Sequence, residues 1–161
     1  MELYLNFMKE FCSIDHQYKA IVVAHAYSDR WEDVTQKIEI EHYRMLIESL
    51  KVRYDLLKSE IVFLAHPRTS ISLYVLYRQE LEDLARVGDI GKVPAESYIA
   101  NKPDVVIGGL STSLIFAKQL KDIDVFYFDW PFIPKNFDIS THEDIVASYH
   151  QLGISNFMEK V

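Results

Sequence analysis

Two stretches of this sequence place reactive side chains directly after an unbroken apolar run. One is Ile61-Val62-Phe63-Leu64-Ala65-His66-Pro67-Arg68, and the other is Asp104-Val105-Val106-Ile107-Gly108-Gly109-Leu110-Ser111-Thr112-Ser113-Leu114. A histidine can donate a hydrogen bond to a phosphate and, once protonated, can pass a proton to a departing phosphate oxygen. Arg68 adds a fixed positive charge. In the second stretch Gly108 and Gly109 let a ligand approach the backbone closely. Ser111, Thr112 and Ser113 then bring hydroxyls to a helix start, where free N–H groups and the dipole favour an anion. Read without a ligand, the same residues make a tight turn with Ser111 as helix cap, and His66 is a structural histidine. Neither the Gly-Lys-Ser/Thr phosphate loop nor the GxGxxG dinucleotide fingerprint is present.

Apolar runs of this kind are the pattern of strands buried on both faces of a parallel sheet. In an open α/β sheet the carboxyl ends of the strands are where ligands bind. A third run, Lys19-Ala20-Ile21-Val22-Val23-Ala24, predicts a strand within 18–26. It leads into the loop His25-Ala26-Tyr27-Ser28-Asp29-Arg30-Trp31-Glu32-Asp33, which then faces the same crevice. Tyr43, Leu46, Ile47 and Leu50 fall at helical spacing and predict a helix over 40–54, with Glu39, Glu41, Glu48, Lys51 and Arg53 as charged positions around that stripe. Strand, helix and strand in succession make a right-handed βαβ unit.

Further on, 71–77 is rich in β-branched and aromatic residues, whereas 78–86 reads as a helix ended by Gly88 and Gly91. Pro94 and Glu96 suit the first turn of a short helix. A strand over 104–107 leads through the glycines into a helix over 111–121, and Val125 to Phe128 forms another strand. Ser140 followed by Glu143 predicts a capping box for a last helix that Gly153 ends. The aromatic run from Phe126 to Trp130 reads as a buried strand and its exit, with Trp31 or Trp130 flanking a pocket. The fold class expected is α/β: Rossmann-like, mainly parallel, with helices on both faces. It forms one domain over 1–161, in which 1–17 is an N-terminal helical segment.

Composition narrows the function. The chain has 161 residues, nearly half of them apolar or aromatic, so a sizeable core is available. Its net charge of −7, from 24 acidic and 17 basic residues, argues against a broad nucleic-acid surface. Cys12 is the only cysteine, which excludes an intrachain disulfide and fits a reducing compartment. No histidine pair has metal-site spacing, and no nucleophile elbow is present. The first ten residues lack the pattern of a signal peptide, and no run reaches the roughly 20 apolar residues of a membrane span. The expected location is cytoplasmic, with peripheral contact to the inner membrane at most.

The His66-Pro67-Arg68 strand end, then Val93-Pro94-Ala95-Glu96, then Val106 to Leu114 resemble, in this order, the carboxyl-terminal half of bacterial sialyltransferases. The similarity is to the lipooligosaccharide sialyltransferase and polysialyltransferase families and covers about residues 20 to 155. It implies one half of a GT-B fold, in which two Rossmann-like halves enclose the active site and the second half binds a CMP-sugar donor such as CMP-sialic acid. It implies inverting transfer to a glycan acceptor in lipooligosaccharide or capsule biosynthesis, with no metal or organic cofactor. By resemblance, His66 contacts the CMP phosphate and assists departure of CMP, Ser111 and Thr112 bind the donor's phosphate or carboxylate, and Glu96 holds the cytidine ribose. Pro67, Arg68, Gly108, Gly109 and Ser113 complete the donor site. Asp29 and Asp33 are the candidates for the general base. The partner expected to complete the enzyme is a separate N-terminal half or a second copy. Two other readings stay open: another GT-B glycosyl- or polyol-phosphate transferase, and a non-catalytic nucleotide- or partner-binding domain.

Overall fold

The computed structural model describes residues 14, 16–91, 93–129 and 138–158. Along this part of the chain the elements are β1 (Ala20–Val23), α1 (Tyr27–Arg30), α2 (Gln36–Tyr54), β2 (Ile61–Leu64), α3 (Ile71–Leu81), β3 (Arg86–Val87), α4 (Ala95–Ile99), β4 (Val105–Gly108), α5 (Thr112–Lys118), β5 (Asp124–Tyr127), α6 (Ile139–Gln151) and β6 (Ser155–Asn156). A single 3-10 turn, Lys58–Glu60, leads into β2. The strands form one six-stranded sheet in the order β3-β2-β1-β4-β5-β6, and every pair is parallel. This is a Rossmann-like α/β fold. The order runs outward from β1 in both directions, so the topology switches between β1 and β4, where such sheets bind ligands.

The four strands β1, β2, β4 and β5 are apolar because side chains alternate between two buried faces. Ala20, Val22, Ile61, Phe63, Val105, Ile107 and Phe126 point into one core with Tyr43, Leu46, Ile47 and Leu50 of α2 and Leu73, Tyr77 and Leu81 of α3. Ile21, Val23, Val62, Leu64, Val106, Val125 and Tyr127 point into the other, against Ile99, Leu114, Ala117 and Tyr149 from α4, α5 and α6. Helices therefore cover both faces. Burial of these side chains from water is the main force holding the layers together.

Several local expectations are corrected. Residues 71–81 form one helix, α3, rather than a β-like stretch followed by a helix. Ser70 caps it by accepting from the Leu73 amide, and Leu73, Tyr77 and Leu81 recur every four residues on its buried side. The helix ends at Leu81, well before Gly88 and Gly91, and Arg86–Val87 is instead the edge strand β3. The last helix is capped by Asp138, not by a Ser140–Glu143 box: the Asp138 carboxylate accepts from the Ser140 and Thr141 amides and hydroxyls. The expected helical segment in 1–17 lies almost wholly outside the described residues, and so do Cys12 and Trp130. Ile14 packs against the second core.

Glu39 is the largest departure. It is not a solvated flank of α2 but is fully buried. Its carboxylate accepts from the Tyr27 amide at 3.0 Å, the Ser28 amide at 2.7 Å and the Tyr77 hydroxyl at 2.6 Å. A buried carboxylate persists only when its oxygens are hydrogen-bonded in this way. Glu39→Ala strands three donors and is expected to cost on the order of 3 kcal/mol or more in a urea titration. Glu41→Ala, on the exposed side of α2, is expected to change stability by less than about 0.5 kcal/mol.

Candidate functional site

The candidate site lies at the carboxyl edge of β2, β1 and β4. Register brings the three exits level, since Val23 stands opposite Leu64 on one side and Gly108 on the other. At normal strand spacing β2 and β4 are separated by about 10 Å, with β1 between them. His66, Gly109 and the turn at Ser111 thus share one edge of the sheet, and His25 emerges in their midst.

His25 is held from below. Its amide donates to the Tyr43 hydroxyl at 2.9 Å, and that hydroxyl donates to the His25 carbonyl, also at 2.9 Å. The Tyr77 hydroxyl lies 3.4 Å from the same carbonyl. Glu39 then fixes the Tyr27 and Ser28 amides as the chain enters α1. The His25 ring then fills the space beside β4. A Cβ added to Gly109 would come within 2.6 Å of both His25 Cδ2 and the Tyr27 hydroxyl, and one on Gly108 would come within 2.8 Å of the Val23 carbonyl oxygen. Both glycines are therefore required by close packing of β4 and its exit on β1.

His66 stacks on His25, with ring centroids 5.7 Å apart and planes inclined by 22°. Its ring is half-buried rather than sealed in the core. Nδ1 accepts from the Arg68 amide at 3.1 Å, and the His66 carbonyl accepts from the Thr69 amide at 2.9 Å, so Pro67 and Arg68 form the tip of a tight turn. Asp29 braces that turn from α1: its two oxygens accept from the Ser70 amide at 2.6 Å and the Ser70 hydroxyl at 2.7 Å. Asp33 is exposed beyond Trp31. Trp31 stacks on Tyr27 at 5.4 Å, with the Arg30 guanidinium 4.9 Å from its ring.

On the β4 side, Ser111 caps α5 by accepting from the Ser113 amide at 3.3 Å. Its carbonyl accepts from the Tyr149 hydroxyl at 2.7 Å, which anchors the turn to α6. Ser113 is buried and donates to Glu96 at 2.8 Å, tying α4 to α5. Thr112 is exposed at the first position of α5. Of the three hydroxyls, then, Thr112 faces solvent, Ser111 caps its own helix, and Ser113 joins Glu96 in a link between two helices.

Electrostatics divide the two imidazoles. Burial, then the charge on His66, hold His25 down at about 4, although a backbone contact from Leu110 pulls the other way. His66 is also lowered, first by burial and then by the Arg68 and Arg30 guanidiniums. Both guanidiniums thus act on the His66 ring as like charges. Of the residues that the sequence points to, His66, Arg68 and Asp29 meet in the turn after β2, Ser111 and Thr112 stand at the start of α5, Ser113 and Glu96 bond to each other between α4 and α5, and Asp33 is exposed beyond Trp31. Sequence reasoning missed His25, Tyr43 and Glu39 as parts of the same construction. For His25 a signal was present, because it ends the β1 run just as His66 ends β2.

Among the described residues no group of three or more His, Cys, Asp or Glu side chains could hold a metal ion. His42 lies instead on the core face near Phe128, 5.3 Å away, where burial lowers it to about 4. Two rings kept neutral in the folded state must respond to acid. The unfolded chain takes up protons near the ordinary value of about 6.5, while the folded chain resists until about 4. Stability is therefore complete above that window and is lost as pH falls through it, by roughly 2 kcal/mol per ring after allowance for the solvent that still reaches it. A melting series from pH 7.5 to 4.5 is expected to show this decline. His42→Phe is expected to flatten this decline, whatever it does to the melting point at pH 7.5.

The chain matches the family model of alpha-2,8-polysialyltransferase (POLYST) over residues 7–129. No curated protein matches it. The matched span runs from before β1 to just past β5 and includes the turns that carry His25, His66 and Ser111. A match over most of the chain, on a Rossmann-like sheet, makes the protein a member of the alpha-2,8-polysialyltransferase family.

Proposed function

We propose that this domain is the donor-binding half of a sialyltransferase-like glycosyltransferase and takes a CMP-sugar at the carboxyl edge of β2, β1 and β4. The observation that carries the reading is the half-open His66 ring stacked on His25 at the topological switch point, beside Arg30 and Arg68 and level with the Gly108–Gly109 turn. The phosphate lies between His66 and the Ser111–Thr112 turn. Glu96, behind that turn, reaches the cytidine ribose. Transfer is inverting: the acceptor hydroxyl oxygen bonds to the anomeric carbon as the bond from that carbon to the phosphate oxygen breaks. CMP leaves with the electron pair, and an aspartate of the loop after β1 receives the acceptor's proton. Asp29 is tied to the turn that carries His66 by its bonds to Ser70, and both aspartates are exposed.

In a GT-B enzyme a second Rossmann-like half supplies acceptor contacts and excludes water, which accounts for much of the rate. A second half, carried by the same polypeptide, by a separate one or by a second copy, fills that role, and membrane contact is peripheral. Among the described residues no helix is long and apolar enough to cross a membrane.

A thermal-shift panel of CMP, CDP, UDP and GDP tests the donor. A ligand at about 100 times its Kd adds roughly 2.7 kcal/mol, or about 5–10 °C for a domain of this size. CMP is expected to give such a shift, with His66→Ala abolishing it. A flat response to all four nucleotides would sink the donor reading. Incubation of the domain alone with CMP-sialic acid and a galactoside acceptor is expected to give little or no transfer.

A further inference from the structure

The protonation state of His66 decides how it can help a phosphate leave, and the turn that carries it bears on that state. The Arg68 amide points at Nδ1 from 3.1 Å and donates to it. A backbone amide cannot accept, so Nδ1 must present a lone pair for this bond to exist. The one ring proton then resides on Nε2.

We infer that His66 serves the proposed donor site as a neutral imidazole whose Nε2–H donates a hydrogen bond to the leaving phosphate, rather than as an imidazolium that transfers a proton. This rests on the donor-site reading. The geometry around the ring supports it from each element that faces it. From its own turn come the Arg68 amide, which needs the Nδ1 lone pair, and the Arg68 guanidinium. From α1 comes the Arg30 guanidinium, a second like charge against a protonated ring. Asp29, the α1 carboxylate that braces this turn, has both oxygens directed at Ser70. From β1 comes His25, stacked at 5.7 Å, which offers an aromatic face and no anion. The His25 backbone is pinned by Tyr43 at both its amide and its carbonyl, which sets where this aromatic neighbour stands.

The bookkeeping of the step is simple. The bond from the anomeric carbon to the phosphate oxygen breaks, and its electron pair departs with CMP, whose phosphate gains one negative charge. Nε2–H meets that charge as it develops and keeps its proton, while the arginines stabilise it further. The acceptor's proton goes to the loop aspartate, so no proton is needed from His66. A neutral imidazole used as an electrophile in this manner is a known device for polarising oxygen.

Two measurements on the wild-type domain test the inference. The first is calorimetric titration with CMP at pH 7.5 in buffers of different ionisation enthalpy, which counts protons taken up on binding. The second is ¹⁵N NMR of the His66 ring, free and with CMP. Less than about 0.2 proton taken up is expected, with Nδ1 pyridine-like and Nε2 pyrrole-like in both states. Arg68→Ala, which keeps the amide, is expected to leave that tautomer unchanged. Uptake of about one proton that disappears in His66→Ala, with both nitrogens pyrrole-like in the complex, would overturn the neutral donor while leaving the donor site standing. Absence of any CMP binding would overturn both.

Discussion

Burying the Glu39 carboxylate obliges the chain to deliver donors to one point in its interior, and that point is the exit of β1. The Tyr27 and Ser28 amides and the Tyr77 hydroxyl all converge there. The amides set the course of the chain as it leaves the sheet, and Tyr77 ties that course to α3. Tyr43, one helical turn on from Glu39 in α2, then holds the backbone of His25. A polar core of this kind stabilises the fold only while every member is satisfied. Its structural yield is a fixed direction for the segment that carries His25, Asp29 and Arg30.

The fixed exit of β1 sets its neighbours in turn. His66 leans on the His25 ring, and Asp29 ties the turn after β2 to α1. Gly108 and Gly109 bring β4 and its exit against β1 at distances that exclude a Cβ. On the far side, Tyr149 and Glu96 hold the Ser111 turn in place. This edge is thus built from both directions, with one buried acid beneath its centre, and most of its side chains already have structural partners.

Much of this was legible in the sequence, and the failures have physical causes. β1, β2, β4 and β5 show as apolar runs because each is buried on both faces. β3 and β6 do not show, because Arg86–Val87 and Ser155–Asn156 are strands only by virtue of the strand beside them. Ile71 to Tyr77 looked β-like by composition, yet the four-residue spacing of Leu73, Tyr77 and Leu81 and the Ser70 cap carry a helix. His66 and the Ser111 turn were visible because an apolar run breaks into polar residues at each. The same break at His25 passed for loop, since its meaning depends on a ring from another strand. Glu39 could not be told from a solvated charge, because its donors come from residues 11, 12 and 38 positions away.

The two outermost strands have only two residues each. A sheet edge that short offers few unpaired backbone groups to a neighbour. Lateral growth by adding a strand is therefore a poor way for another polypeptide to join this molecule. Among the described residues, the helical flanks and the carboxyl rim give a companion a broader hold through side chains, where specificity can be written residue by residue.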